Sequence, residues 1–144
     1  FQGRSFDPKD LCKYITIKLE GVEDLVYGQE RINNNKKKYC VEGPLDSLFL
    51  PNCMAMAGIK FNCFEKDTII VLDNEKRNKE LANSIEKFIT NGYSVCIWPE
   101  SVEGKDINEM IMKGMTSEEI LGIIDTNTHS GLQAQFQLSQ WRKC

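Results

Sequence analysis

Hydrophobic residues recur along this chain with two different periods. From Tyr14 to Leu19, Ile15, Ile17 and Leu19 alternate with Thr16 and Lys18, the period of a strand. Lys38 to Val41 is a short β-prone run that stops at Glu42-Gly43-Pro44. Leu45, Leu48 and Phe49 follow at helical spacing, with Pro44 in the first turn, where its missing N–H is not needed. Cys53 to Ala57 is a further apolar run. Thr68 to Leu72 (TIIVL) is continuously apolar, as expected of a strand buried on both faces. Asn78 to Asn91 predicts an amphipathic helix with Leu81, Ile85, Phe88 and Ile89 on one face, ended by Gly92. Tyr93 to Trp98 predicts a strand. Asp106 to Lys113 predicts a short helix with Ile107, Met110 and Ile111 inward and Gly114 at its end. Thr116 and Glu119 form a capping box that opens what reads as the last helix. Leu132, Ala134, Phe136 and Leu138 alternate with Gln133, Gln135 and Gln137, which predicts a final strand with one wet face.

Strands that alternate with helices from 38 to 125 predict an α/β fold, a mostly parallel sheet flanked by helices. Antiparallel strands are expected at the N- and C-terminal parts. A length of 144 residues suits one domain. It divides into an N-terminal flanking segment (1–37), a core (38–125) and a C-terminal strand and tail (126–144). Asn33 to Lys38 (NNNKKK) reads as a polar loop or hairpin tip. No apolar run approaches the length of a membrane span, and no basic-then-apolar leader opens the chain, so a cytoplasmic location is expected. The first residue is Phe1, and the chain reads as a fragment of a longer protein.

Charge and cysteine usage narrow the chemistry. A net charge of −3 argues against a non-specific nucleic-acid binder, so a polyanion must engage a local patch or a metal. The cysteines (Cys12, Cys40, Cys53, Cys63, Cys96 and Cys144) include no Cys-x-x-Cys pair, and His129 is the single histidine. Free thiols in a reducing compartment are expected rather than a structural zinc site, with His129 in a loop. The acids are more informative. Glu42 ends the first core strand. Asp73 ends the TIIVL strand, with Glu75 two residues on. The strand ending near Trp98 leads to Asp106. In open α/β sheets ligands collect beyond the carboxyl ends of the strands. Carboxylates gathered there raise one another's pKa, and a divalent cation relieves the repulsion. Mg2+ commonly takes one or two carboxylates together with substrate phosphates. Taken singly, each acid has a plainer role, Asp106 as the N-cap before Ile107.

These residues resemble a known family. Lys38 to Leu50 (KYCVEGPLDSLFL) resembles the first motif of a Toprim domain, and Thr68 to Glu75 (TIIVLDNE) the second. Gly104 to Ile111 (GKDINEMI) is similar to the third acidic segment of bacterial-type DNA primases. FQGRSFD at the start and LVYG (Leu25 to Gly28) resemble segments that precede Toprim there. DNEKRNKE and IWPESVEGKDINEMI bring the likeness closest to primases of the large T-even-type bacteriophages. The resemblance implies a metal-dependent primase catalytic domain. Such a domain joins ribonucleoside triphosphates into short RNA primers on single-stranded DNA, in the host cytoplasm, with a replicative helicase as partner. It implies that Asp73, Glu75 and Asp106 hold Mg2+ or Mn2+, two ions in all. Glu42 would be a metal ligand or the general base for the primer 3′-hydroxyl. Asp46, one helical turn along, and Asn108 would support them. Arg4, Arg77 and Lys105 would meet nucleotide or DNA. Two positions depart from the pattern. Glu75 is one methylene longer than the usual Asp, and Asn108 stands where a second Asp is usual. The family's zinc-binding module lies outside this sequence.

Other residues keep two readings. Lys36, Lys37 and Lys38 are a solvated loop or a contact to template phosphates. Trp98 and Trp141 pack in the core or stack on bases. Two alternatives use the same acids: a Toprim-type nuclease that directs water instead of a 3′-hydroxyl, and a non-catalytic acidic-pocket binding module. A topoisomerase would need a separate module with a nucleophilic tyrosine.

Overall fold

The computed structural model describes residues 2–12, 14–17, 19–21 and 25–144; Lys18 of the alternating N-terminal stretch lies outside them. Strands β1 (Gln2–Arg4) and β2 (Tyr14–Thr16) pair antiparallel in a small sheet of their own. The main sheet contains β3 (Lys38–Val41), β4 (Cys53–Ala55), β5 (Thr68–Val71), β6 (Ser94–Cys96) and β7 (Thr128–His129). Their order is β4-β3-β5-β6-β7, parallel throughout except for β7, which runs antiparallel to β6. Helices α1 (Pro44–Ser47), α2 (Lys79–Thr90), α3 (Ile107–Met112) and α4 (Ser117–Thr126) lie between these strands, and α5 (Gly131–Trp141) follows β7. The expected α/β architecture is the observed one.

Burial on both faces explains the continuous apolar strands. Cys40, Ile70, Leu72 and Val95 face one layer with Leu81, Ile85 and Phe88 of α2 and Ala134, Leu138 and Trp141 of α5. Tyr39, Val41, Ile69, Val71 and Cys96 face the other layer, against Ile107 and Met110 of α3 and Ile120 and Ile124 of α4. Helix α2 is capped by Asn78, whose side chain accepts the Leu81 N–H at 3.1 Å. It ends at Gly92, where φ is +88°, a conformation that glycine adopts without strain. Tyr93 then turns back into the core, packs edge-on against Phe88 at 5.6 Å and donates its hydroxyl to the Phe64 carbonyl at 2.7 Å. Thr116 and Glu119 form the expected capping box on α4.

Two expectations are corrected. Helix α1 is a single turn, and Leu45 on it and Leu48 at its C-cap are exposed while Asp46 and Ser47 are buried. The apolar spacing there points outward because the buried side of this turn is polar. The expected strand over 132–138 is helix α5, so α4 is not the last helix; the strand of this region is the two-residue β7. The sequence LQAQFQL alternates, but Ala134, Leu138 and Trp141 are also spaced four and three apart. That spacing defines one helical face, and Leu, Ala and Gln are good helix formers.

The connection after β3 goes by way of α1 to β4, on one side of the sheet order. The connection after β5 goes by way of α2 to β6, on the other. Helices α1 and α2 pack on opposite faces, so the two connections part at the carboxyl ends of β3 and β5, which leaves a crevice there. Among the described residues, no helix is long and apolar enough to cross a membrane.

The helical assignment of α5 separates two side chains that a strand would bury together. Leu138 is 3% exposed and Phe136 62%. Leu138→Ala is expected to cost about 3 kcal/mol in urea unfolding, while Phe136→Ala stays within about 0.5 kcal/mol of the parent. Equal losses would contradict the helix.

Candidate active site

Val41 and Val71 are register partners in the parallel β3–β5 pair. Glu42 follows Val41 directly, and Asp73 comes two residues after Val71, so both acids emerge at the crevice. Glu42 is half-buried, and its Oε2 atom is buried with no hydrogen-bond partner among the described residues. Burial raises the Glu42 pKa, a hydrogen bond from the Asp73 backbone opposes this, and the charges of Glu75 and Asp46 add to the rise. Asp73 is pushed up to about 7, first by desolvation and then by Glu42, Asp46 and Asp106. Gly43 cannot be replaced without disturbance, because a Cβ there would lie 2.9 Å from Asp46 Oδ2.

Asp46 and Asp106 organise the third acidic segment. Asp106 caps α3 and accepts the Glu109 N–H at 2.7 Å. Asp46 reaches across from α1 and accepts the Asn108 N–H at 2.8 Å. Two carboxylates thus satisfy N–H groups in the first turn of one helix. Burial raises the Asp46 pKa, and the Asn108 hydrogen bond works against the shift. Glu75 is the opposite case. Asn78 donates to it at 2.8 Å and Lys105 Nζ lies 2.8 Å away, and together they hold its carboxyl below the ordinary value. The same pair raises the Lys105 pKa.

The donor set suits a hard divalent cation. It consists of carboxylate oxygens, with one buried oxygen atom left unpartnered. Among the described residues, no three Asp, Glu, His or Cys side chains stand close enough to hold an ion together.

Known proteins resemble the chain in sequence and in fold. The chain is 36% identical over 149 aligned residues, 99% of its length, to the DNA primase of Enterobacteria phage T4. Over nearly its whole length the chain is similar to part of a phage DNA primase. It spans 43% of that relative's length. Its fold is similar to the crystal structure of the Aquifex aeolicus primase, zinc-binding and RNA polymerase domains. The TM-score is 0.64 at 21% identity, over 97% of this chain and 40% of that one. No protein-family profile matches.

Within this chain, Glu42, Asp46, Asp73, Glu75, Lys105, Asp106 and Asn108 come together at one edge of the sheet, linked by the contacts and charge interactions above. Arg77 is exposed on the turn before α2, and Arg4 lies in the separate small sheet. Three other readings resolve toward structure. Trp98 and Trp141 are both buried, and their indole N–H groups donate to the Leu72 carbonyl at 2.8 Å and to Asn74 Oδ1 at 3.2 Å. Neither is a base-stacking platform. Lys38 belongs to no solvated run: it is 2% exposed and paired with Glu65 and Asp67, because β3 begins with it. Lys37 pairs with Asp125 at 3.2 Å. His129 is in β7, opposite Val95, rather than in a loop. Cys40, Cys53 and Cys96 are buried free thiols whose pKa values burial raises.

Sequence reasoning missed Asn74. An amide between two acids just after a strand is a signal that its own hydrogen bonds matter. Its partners lie far along the chain, so the signal did not name them.

The Asp73 shift has a stability consequence. Folded Asp73 keeps its proton to about pH 7, whereas an unfolded aspartate loses it near pH 4. Between those values the folded state binds more protons, so this group's contribution to stability falls as pH rises through the window. In EDTA, Asp73→Asn is expected to melt roughly 3–6 °C above the parent near pH 8 and together with it near pH 4. Coincident melting at both pH values would show that Asp73 carries no such penalty.

Proposed function

We propose that this chain is the Toprim-type catalytic domain of a DNA primase. In this reading it joins ribonucleoside triphosphates into short RNA primers on single-stranded DNA, with residues 38–125 as its core. One observation carries the reading. A chain 36% identical to a phage DNA primase gathers Glu42, Asp46, Asp73 and Asp106 at the crevice between β3 and β5, with a Glu42 oxygen buried and unpartnered. Such a cluster is costly to keep unless it serves a ligand of opposite charge.

Asp73, Glu75 and Asp106 would hold Mg2+ or Mn2+. Bound there, two such ions would neutralise triphosphate charge and polarise the attacking and leaving oxygens. The spread of the acids fits ions held by one or two carboxylates each, with waters and substrate phosphates completing the shell. Glu42, its proton affinity raised by burial, is suited to accept the proton of the primer 3′-hydroxyl. The 3′-oxygen then bonds to the α-phosphorus and pyrophosphate departs. Lys105, beside Glu75, would move to triphosphate oxygens when nucleotide enters, since an ion pair this exposed is weak. Asp46 keeps α3 in place through the Asn108 N–H and so fixes Asp106. Arg77, on the turn beyond Glu75, and Arg4 are candidates for template or nucleotide phosphate. A replicative helicase would place the domain on DNA; that partner rests on family resemblance.

The test is a gel with labelled single-stranded DNA, four ribonucleoside triphosphates and Mg2+ or Mn2+. The parent is expected to make labelled oligoribonucleotides, and Glu42→Gln about a hundredfold less or worse. At limiting metal the rate should climb as pH passes through about 7 and Asp73 gives up its proton. Shortened DNA without RNA, lost in Glu42→Gln, would replace this reading with a nuclease. Neither product, with the helicase also present, would leave a binding module.

A further inference from the structure

Asn74 stands between Asp73 and Glu75, and its backbone N–H and both ends of its side-chain amide are hydrogen-bonded. Its backbone N–H donates to the Lys105 carbonyl at 2.6 Å. Its side-chain amide donates to the Val102 and Gly104 carbonyls, each at 3.2 Å. Its side-chain oxygen accepts the Trp141 indole N–H at 3.2 Å. Two residues further along, the Lys143 N–H donates to the Lys76 carbonyl at 2.8 Å. The loop bearing Asp73 and Glu75 is therefore tied once by the last residue of α5, once by the segment just beyond it, and at three points by the loop that leads to Asp106.

The segments joined this way are remote in sequence, and apart from Trp141 at the end of α5 the joined residues lie in loops. Loop carbonyls buried without partners would be costly, and the asparagine amide satisfies two of them at once. The arrangement also opposes electrostatics. Carboxylates that repel separate unless their backbones are fixed. Here the fixing is done by a neutral side chain, which adds no charge to the cluster.

We propose that Asn74 is a positioning residue for the acidic site: it sets Asp73 and Glu75 against Asp106, and Trp141 holds Asn74 in that pose. The inference rests on reading the cluster as a divalent-cation site for nucleotidyl transfer. Groups that orient metal ligands commonly affect metal affinity by about 10- to 100-fold.

The test uses the whole 144-residue chain as parent, Asn74→Ala and Trp141→Phe. The second variant keeps an aromatic ring but loses the N–H. Mn2+ is titrated in and the free ion followed by electron paramagnetic resonance. Primer synthesis is measured against metal concentration, and thermal melting is recorded alongside. Asn74→Ala is expected to weaken Mn2+ binding about tenfold and to raise the metal concentration for half-maximal synthesis by a similar factor. Trp141→Phe is expected to give about a two- to threefold change in the same direction while still melting as a folded protein. A change confined to melting, with Mn2+ affinity at the parent value in the folded variants, overturns the inference. If Asn74→Ala does not fold, Trp141→Phe decides by the same criterion. Failure of the parent to bind Mn2+ also overturns it. A parent that binds Mn2+ through this clamp but makes no RNA would retain the inference and sink the primase reading. A parent that makes primers with metal dependence unchanged in both variants would do the reverse.

Discussion

Val41 and Val71 face each other in parallel register, and each strand runs on within two residues into an acid. That pairing is the constraint on which the site depends. It delivers Glu42 and Asp73 to one edge, while α1 and α2 leave toward opposite faces and keep the crevice between them open. The hydrophobic layers on both faces make the register hard to change, since a slip of one residue would exchange the two faces of every strand.

The crowding that results is balanced locally. Asp46 finds the Asn108 N–H, Asp106 the Glu109 N–H, and Glu75 the Lys105 ammonium. Asp73 has no such counterpart strong enough to offset its neighbours, and it is the acid whose proton affinity rises furthest. The unequal treatment separates roles among chemically similar groups. Glu75 is poised as an anion. Asp73 and Glu42 remain able to exchange a proton or a cation.

Much of this was legible in the sequence because the parallel strands are apolar on both faces and stop abruptly at acids. TIIVL followed by Asp73, and Val41 followed by Glu42, need only the rule that α/β sites lie at carboxyl edges. The α2 and α4 boundaries were legible because their capping side chains, Asn78 and Thr116, act within three residues. What failed has physical reasons. LQAQFQL satisfies both a period of two and a helical face, and tertiary packing of Ala134, Leu138 and Trp141 on α2 decides for the helix. Lys38 looked solvated beside Lys36 and Lys37, but the carboxylates that receive it, Glu65 and Asp67, arrive from a loop 27 to 29 residues away. The bonds of Asn74 depend on the same kind of distant closure. The sequence lists the groups at the site, and the fold alone decides which of them meet.

Trp98 and Trp141 are the only two tryptophans in the chain, and they hydrogen-bond to Leu72 and Asn74, the residues on either side of Asp73. Indole emission responds to the loss or gain of a hydrogen bond at its nitrogen and to nearby charge. The chain's entire intrinsic tryptophan fluorescence therefore comes from indoles hydrogen-bonded to the two residues that flank its most perturbed acid. The protein carries an unlabelled optical reporter of that loop, through which occupancy of the acidic edge can be followed in real time.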